Sequence, residues 1–172
     1  MEKEHIHRVV AWWTSGRTGL AKSESAPNAI HFTAPPQFGG IEGRWTPEDL
    51  LITALASCFT TTFHTVAEYS KFEYTDLAVE AEGAVVKAAQ GYCFSEIVIR
   101  PSLTIPSEEN RGRAVGLLHQ AKKLCLVSRA LAKAQKFEAR IEISKRLRSD
   151  WGTTKSRTPV LIPNCDLRHK AP

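Results

Sequence analysis

Cys58, Cys93, Cys125 and Cys165 are the places where this 172-residue sequence could do covalent chemistry. A thiolate attacks electrophiles, binds soft metals and exchanges disulfides, whereas a buried thiol packs as a small hydrophobe. No two of the four form a Cys-x-x-Cys pair, so zinc-ribbon and thioredoxin spacing is absent. Cys58 and Cys125 each fall on the apolar stripe of a segment with helical periodicity, where a core filler and a shielded nucleophile read alike. Two charged residues stand in unusual places: Glu48 at a helix start, and Arg17 in a turn flanked by Gly16 and Gly19. Taken singly, Glu48 is a helix-start acid and Arg17 a solvated turn residue. His64 follows Cys58 by six positions, about 240° around a helix, so it faces away from that thiol.

The elements that must position these residues follow from local pattern. Residues 5–14 are β-branched and aromatic and read as a strand, and 15–19 as a turn. Trp12 and Trp13 point to opposite faces of that strand, so one is expected in the core and the other at a pocket or interface. Short strands are expected at 20–23 and 29–33, and a loop at 34–40. Thr46-Pro47-Glu48-Asp49 is a helix start, with Thr46 as cap and Pro47 in the first helical position. That helix should run to about Tyr69, with Leu51, Ala54, Leu55, Cys58, Thr62 and Val66 on its buried stripe. Leu77, Val79, Ala81, Gly83 and Val85 alternate with polar residues as a strand does, and 92–105 reads as its neighbour. Ser107 opens a second helix whose stripe is Ala114, Leu117, Leu118, Ala121, Leu124 and Cys125. A short helix at 128–134 and a strand at 137–144 follow. The element order predicts an α+β fold, two helices against mostly antiparallel sheet.

The bulk properties exclude several classes. With 42% hydrophobic and 24% charged residues, the chain has the mix of one ordinary globular domain. No uninterrupted apolar run approaches the roughly 20 residues of a membrane span. The start of the chain, Met1 to His5, is polar with no signal-like core after it, so no membrane partner and a cytoplasmic location are expected. The formal charge is +5, and part of the excess lies in the tail, at Lys145, Arg146, Arg148, Lys155, Arg157, Arg168 and Lys170. No zinc-finger spacing, RNA-binding signature or phosphate-binding glycine loop accompanies it, so a solvated basic surface without a nucleic-acid partner is expected.

Three segments carry a family resemblance. Gly43-Arg44-Trp45-Thr46-Pro47-Glu48-Asp49-Leu50-Leu51 through Ala54-Leu55-Ala56-Ser57-Cys58 resembles the first helix signature of the OsmC/Ohr family, the osmotically inducible and organic hydroperoxide resistance proteins. Ala121 to Leu131, around Cys125, resembles its second signature, and Gly16-Arg17-Thr18-Gly19 its arginine-bearing N-terminal hairpin. The likeness covers about 9–144, with the Pro-Glu to Cys spacing kept. It implies an OsmC-like domain over 1–148, with 149–172 as a C-terminal extension, and an intertwined homodimer with sheets around central helices. It further implies a cofactor-free, thiol-dependent peroxidase that reduces organic hydroperoxides to alcohols. In that reading Cys58 is the peroxidatic cysteine, Cys125 the resolving one, and Arg17 with Glu48 the pair that orients and activates the thiolate. The oxidised enzyme, a Cys58–Cys125 disulfide, would be reset by an external dithiol, lipoyl groups in the Ohr branch.

The chemistry explains those residue types. Only the thiolate attacks a peroxide oxygen, and an ordinary cysteine is mostly protonated at neutral pH. A permanently charged arginine favours the thiolate and can donate to the developing oxyanion; a carboxylate can hold the guanidinium fork in place. The sequence departs from the family at 42–46, where small residues and Asn or Ser are common and Arg44 and Trp45 stand. It departs again at Leu126, where a proline often follows the resolving cysteine. Cys93 and Cys165 have no family counterpart. A binding protein on the same fold, holding a lipid-like ligand, is the competing function, but it would not need both Cys58 and Cys125. A metal site using those two thiols and an acid is weaker still, because no histidine has ligand spacing.

Overall fold

The computed structural model describes residues 4–144; the expected extension at 149–172 lies outside them. Near the N-terminus, β1 (Val9–Ser15), β2 (Thr18–Ser23) and β3 (Ile30–Thr33) form a three-stranded antiparallel sheet in the order β1-β2-β3. Gly16, at φ +51°, turns the first hairpin and leaves Arg17 at its tip. This sheet joins the rest of the chain through a parallel bridge between Phe32 and Trp45, where the Thr33 N–H donates to the Trp45 carbonyl at 2.9 Å.

The long helix α1 spans Pro47–Tyr69. Its start is fixed by a reciprocal cap. The Asp49 N–H donates to Thr46 Oγ1 at 3.1 Å, and the Thr46 N–H donates to Asp49 Oδ2 at 2.9 Å. Pro47 sits where its missing N–H costs nothing. Leu55, Phe59, Phe63, Val66 and Ala67 form the buried stripe. The stripe expected from periodicity is therefore rotated: Leu55 and Val66 are buried, but Ala54 is exposed and Leu51, Cys58 and Thr62 are half-buried. The two phenylalanines decide the orientation, since burying each gives about 2–3 kcal/mol against far less for Ala or Thr. By length and composition, with a mean hydropathy of 1.4, α1 is apolar enough to cross a membrane, unlike the sequence expectation. In this fold its stripe is buried among the β5 and α2 side chains of the core.

The second sheet is built on a long hairpin, β4 (Asp76–Ala88) and β5 (Gly91–Ile105). Ile97, Ile99, Leu103 and Ile105 of β5 are buried with α1 and with α2 (Arg111–Leu124), which contributes Ala114, Leu117, Leu118 and Ala121. Gly83 lets α1 approach β4, because a Cβ there would fall 2.9 Å from Ile52 Cδ1 and 2.6 Å from Phe94 Cε1. A bulge between Ala84 and Val85 ends the alternation, so Val85 and Val86 are both exposed, where Val85 was expected inside.

After α2 comes the short helix α3 (Leu126–Ala130), two residues earlier than the sequence pattern placed it. The strand expected at 137–144 is two strands, β6 (Gln135–Phe137) and β7 (Arg140–Ile143), and both pair parallel to β5. Their break has a cause. β6 pairs with Ile97 to Ile99 and β7 with Ser102 to Ile105, and Pro101, which has no N–H to offer, lies in the gap. On the outer face Arg100 of β5 holds Glu80 (3.3 Å) and Glu82 (2.8 Å) of β4 and Glu138 (2.8 Å) of the link between β6 and β7.

Trp12 and Trp13 are both exposed, at 42% and 72%, so the expectation of one in the core does not hold for the single chain. The N-terminal sheet makes its main contacts among its own strands and does not lie over the core of its own chain.

Candidate active site

An elbow between two helices brings the thiols of Cys58 and Cys125 together. The second apolar stripe was expected to continue through Leu124 and Cys125 on one helix, but α2 ends at Leu124, which is exposed. The Cys125 N–H still donates to the Ala121 carbonyl at 2.8 Å. Its backbone then leaves the helix at φ −58° and ψ 113° and becomes the cap of α3. Cys125 is fully buried and faces the half-buried Cys58 on α1; both are free thiols. The Leu126 and Val127 N–H groups, the first two of α3, have no carbonyl partner within that helix and hydrogen-bond the Cys58 sulfur. Thr62, one helical turn on from Cys58, adds its hydroxyl.

These contacts split the two thiols. Partial burial pushes the Cys58 thiol up, but the Val127 N–H, the Cys125 thiol, the Thr62 hydroxyl and the Leu126 N–H together bring it below the ordinary cysteine value. Burial pushes Cys125 up; the Ser128 N–H opposes this, the nearby Cys58 adds to it, and the Lys122 ammonium opposes it again, leaving the thiol raised. Cys58 is thus the readier thiolate, and Cys125 keeps its proton and donates to it. The pair titrates as a unit rather than as two independent thiols.

Arg17 and Glu48 lie elsewhere. Arg17 is exposed at the hairpin tip, its Nε 3.6 Å from where a Cβ on Gly39 would sit, and its carbonyl accepts from the Ala34 N–H at 3.0 Å. Glu48 lies in the first turn of α1 and lines a cavity of about 380 Å³ with Phe38, Ile41 and Arg44. Its Oε2 is buried and has no hydrogen-bond partner among the described residues. Among the described residues no ion pair joins Arg17 to Glu48, and neither touches the Cys58 sulfur. Because α1 is continuous from Pro47, Glu48 and Cys58 stand roughly 15 Å apart along its axis.

The remaining candidates fall outside the site. His64 Nδ1 is 2.9 Å from the Tyr74 hydroxyl, in a separate threonine-lined cavity. Cys93 is exposed on β5 opposite Val86, and Cys165 lies outside the described residues. Among the described residues no three His, Cys, Asp or Glu side chains gather as metal ligands would. Sequence reasoning missed Thr62, the two N–H groups of α3, Ser128 and Lys122. The i, i+4 spacing of Cys58 and Thr62 was available as a signal; the donors of α3 depend on a helix break at Cys125 that periodicity did not show.

Leu126 offers a clean test of the thiolate contacts, because a proline there removes one N–H and little else. Proline fits the first helical position, and Cys125 already has the extended backbone that a following proline requires. In Leu126→Pro the Cys58 thiol is expected to move up, slowing its alkylation at pH 7 by about two- to tenfold with thermal stability kept. An alkylation profile identical to the wild type would show that this N–H does not hold the thiolate.

Fold and site together define an α+β protein with a paired-thiol centre at a helix elbow. A family model described as OsmC-like protein matches residues 40–140, and the chain belongs to that family. The uncharacterized protein YmaD of Bacillus subtilis is 26% identical over 147 residues, covering 84% of this chain and 97% of YmaD. An OsmC-like protein of unknown function from Vibrio cholerae superposes with a TM-score of 0.70 at 18% identity, over 79% of this chain and 99% of its own. An organic hydroperoxide resistance protein from Elizabethkingia anophelis does so with a TM-score of 0.67 at 20% identity, over 84% and 100%. At these identities the structural likeness is one of fold, and it agrees with the expected α+β OsmC-like architecture.

Proposed function

We propose that this protein is a thiol peroxidase that reduces organic hydroperoxides. The observation that carries the reading is the facing pair of free thiols, one lowered and one raised from the ordinary cysteine value. The Cys58 thiolate attacks the distal peroxide oxygen, the O–O bond breaks, and the alkoxide leaves as alcohol after taking a proton. Cys58 is left as a sulfenic acid, with which Cys125 condenses to a disulfide and water. An external dithiol of the lipoyl type then restores both thiols by exchange. No cofactor is required, because sulfur carries both electrons. A reducing compartment such as the cytoplasm would supply the dithiol.

The reading includes a homodimer whose sites are built from both chains. Glu48 lies too far along α1 to reach its own Cys58, and Arg17 sits on a sheet that does not cover the core of its own chain. Trp13, Val9 and Val10 leave broad apolar surface on that sheet, which a second copy would bury. Arg17 and Glu48 of one chain would then orient the Cys58 thiolate of the other.

Stopped-flow oxidation of the reduced protein, followed by mass mapping, tests the reaction. An alkyl hydroperoxide is expected to oxidise Cys58 faster than hydrogen peroxide does and to yield a Cys58–Cys125 crosslink. A thiol pair inert to both peroxides, or a Cys93–Cys165 crosslink in its place, would overturn the proposal.

A further inference from the structure

Lys122 is a half-buried cation for which thiol oxidation by Cys58 has no use. It lies in the last turn of α2, three residues before Cys125, the residue that caps that helix. Its Nζ hydrogen-bonds both Ser128 Oγ, from α3, and Gln135 Oε1, from β6. Ser128 Oγ in turn donates to Gln135 Oε1 at 2.5 Å, and Gln135 Nε2 donates to the Ser128 carbonyl at 3.4 Å. The lysine is therefore anchored by neutral groups, and among the described residues it forms no ion pair with a carboxylate. Holding an ammonium in such a place carries a desolvation cost with no anion in return. The anion that can arise beside it is the Cys125 thiolate.

We propose that Lys122 is a positioning residue for the second half of the peroxidase cycle: anchored by Ser128 and Gln135, its ammonium makes Cys125 the attacking sulfur. This rests on the peroxidase reading above. In the step concerned, Cys125 gives up its proton and its sulfur lends an electron pair to Cys58 Sγ. The S–S bond forms, the S–O bond of the sulfenic acid breaks, and the departing hydroxide takes up a proton and leaves as water. Cys125 must ionise to attack, yet burial pushes its thiol up, and Lys122 is the cation that opposes this. Burial likewise pushes Lys122 below the usual lysine value, while the charge of Cys125 pulls it back. Among the described residues, the titratable groups acting on Cys125 are Cys58 from α1 and Lys122 from α2; α3 supplies the Ser128 N–H, which does not titrate. Gln135, the contribution of β6, faces Lys122 and is likewise neutral.

The test reads Lys122 both with and without peroxide. In a Cys58→Ser background, the pH midpoint of Cys125 alkylation, followed on the peptide that carries it, is expected to rise in Lys122→Met and to return in Lys122→Arg. In the otherwise intact protein, Lys122→Met is expected to slow formation of the Cys58 sulfenic acid far less than the step after it. Its conversion to disulfide at pH 7 should be about three- to tenfold slower, and Lys122→Arg should restore it. An unmoved alkylation midpoint, or an arginine variant as slow as the methionine one, overturns the role of Lys122. A wild-type protein that alkylates as expected but ignores peroxide overturns the peroxidase reading, and with it the step assigned to Lys122.

Discussion

Replacing Cys58 with serine is expected to reduce peroxide turnover to the uncatalysed background, whereas Cys125→Ser should still oxidise once and then stop. The difference follows from the elbow. A serine in place of Cys58 has the same donors around it, the Leu126 and Val127 N–H groups and the Thr62 hydroxyl, but its hydroxyl does not ionise near neutral pH. With serine in place of Cys125, an O–H donor of comparable shape replaces the S–H donor to Cys58 and the other contacts remain, so the first attack survives. The sulfenic acid then has no thiol to condense with and goes on to sulfinic acid as peroxide is added. Mass spectrometry of the peptide carrying position 58 distinguishes the cases: unmodified in Cys58→Ser treated with peroxide, one and then two oxygens heavier in Cys125→Ser. Full steady-state turnover in both variants would remove the two-cysteine mechanism.

Helix boundaries were legible in this sequence where short-range chemistry sets them. Thr46, Pro47 and Asp49 define the start of α1 by capping alone, and the structure begins the helix there. Facing was less legible. A periodic stripe through Cys58 and a stripe through Phe59 differ by one residue, and only the volume of Phe59 and Phe63 against β5 and α2 chooses between them. That one-residue rotation is what moves Cys58 from the core to its rim, where it is half-buried. The elbow at Cys125 was hidden because Leu124, Cys125 and Leu126 continue an apolar run, and a helix break inside such a run has no local punctuation. The parallel pairing of β6 and β7 depends on where Pro101 falls in a neighbouring strand, a contact remote in sequence. The two tryptophans were less legible still: alternation put one of them in the core, and both are exposed because their sheet makes its main contacts among its own strands.

Mixing Glu48→Ala chains with Cys58→Ser chains is expected to recover activity above that of either variant by itself. Glu48 lies in the first turn of a helix that is unbroken from Pro47 to Tyr69, so it cannot fold back toward its own Cys58. Its Oε2 is nevertheless buried without a partner among the described residues, a state that costs about 1–3 kcal/mol or more for a charged group. Among the described residues of one chain no donor reaches that oxygen; docking of a second copy against the hairpin would bring the Arg17 guanidinium to it. Glu48→Ala alone should therefore lower turnover by about 10–100-fold through misplacement of the activating arginine, and Cys58→Ser alone should be inert. In a mixed dimer one site carries both substitutions and is dead, while the other pairs an intact Cys58 with the intact Glu48 of its partner. Random assortment makes about half the dimers mixed, with one working site in each, so the refolded mixture should reach about a quarter of wild-type activity. If Glu48 served its own chain, the same mixture would stay at the level of Glu48→Ala diluted with inert protein. That result, or a strictly monomeric protein that reduces hydroperoxide at full rate, would rule out a site shared between two chains.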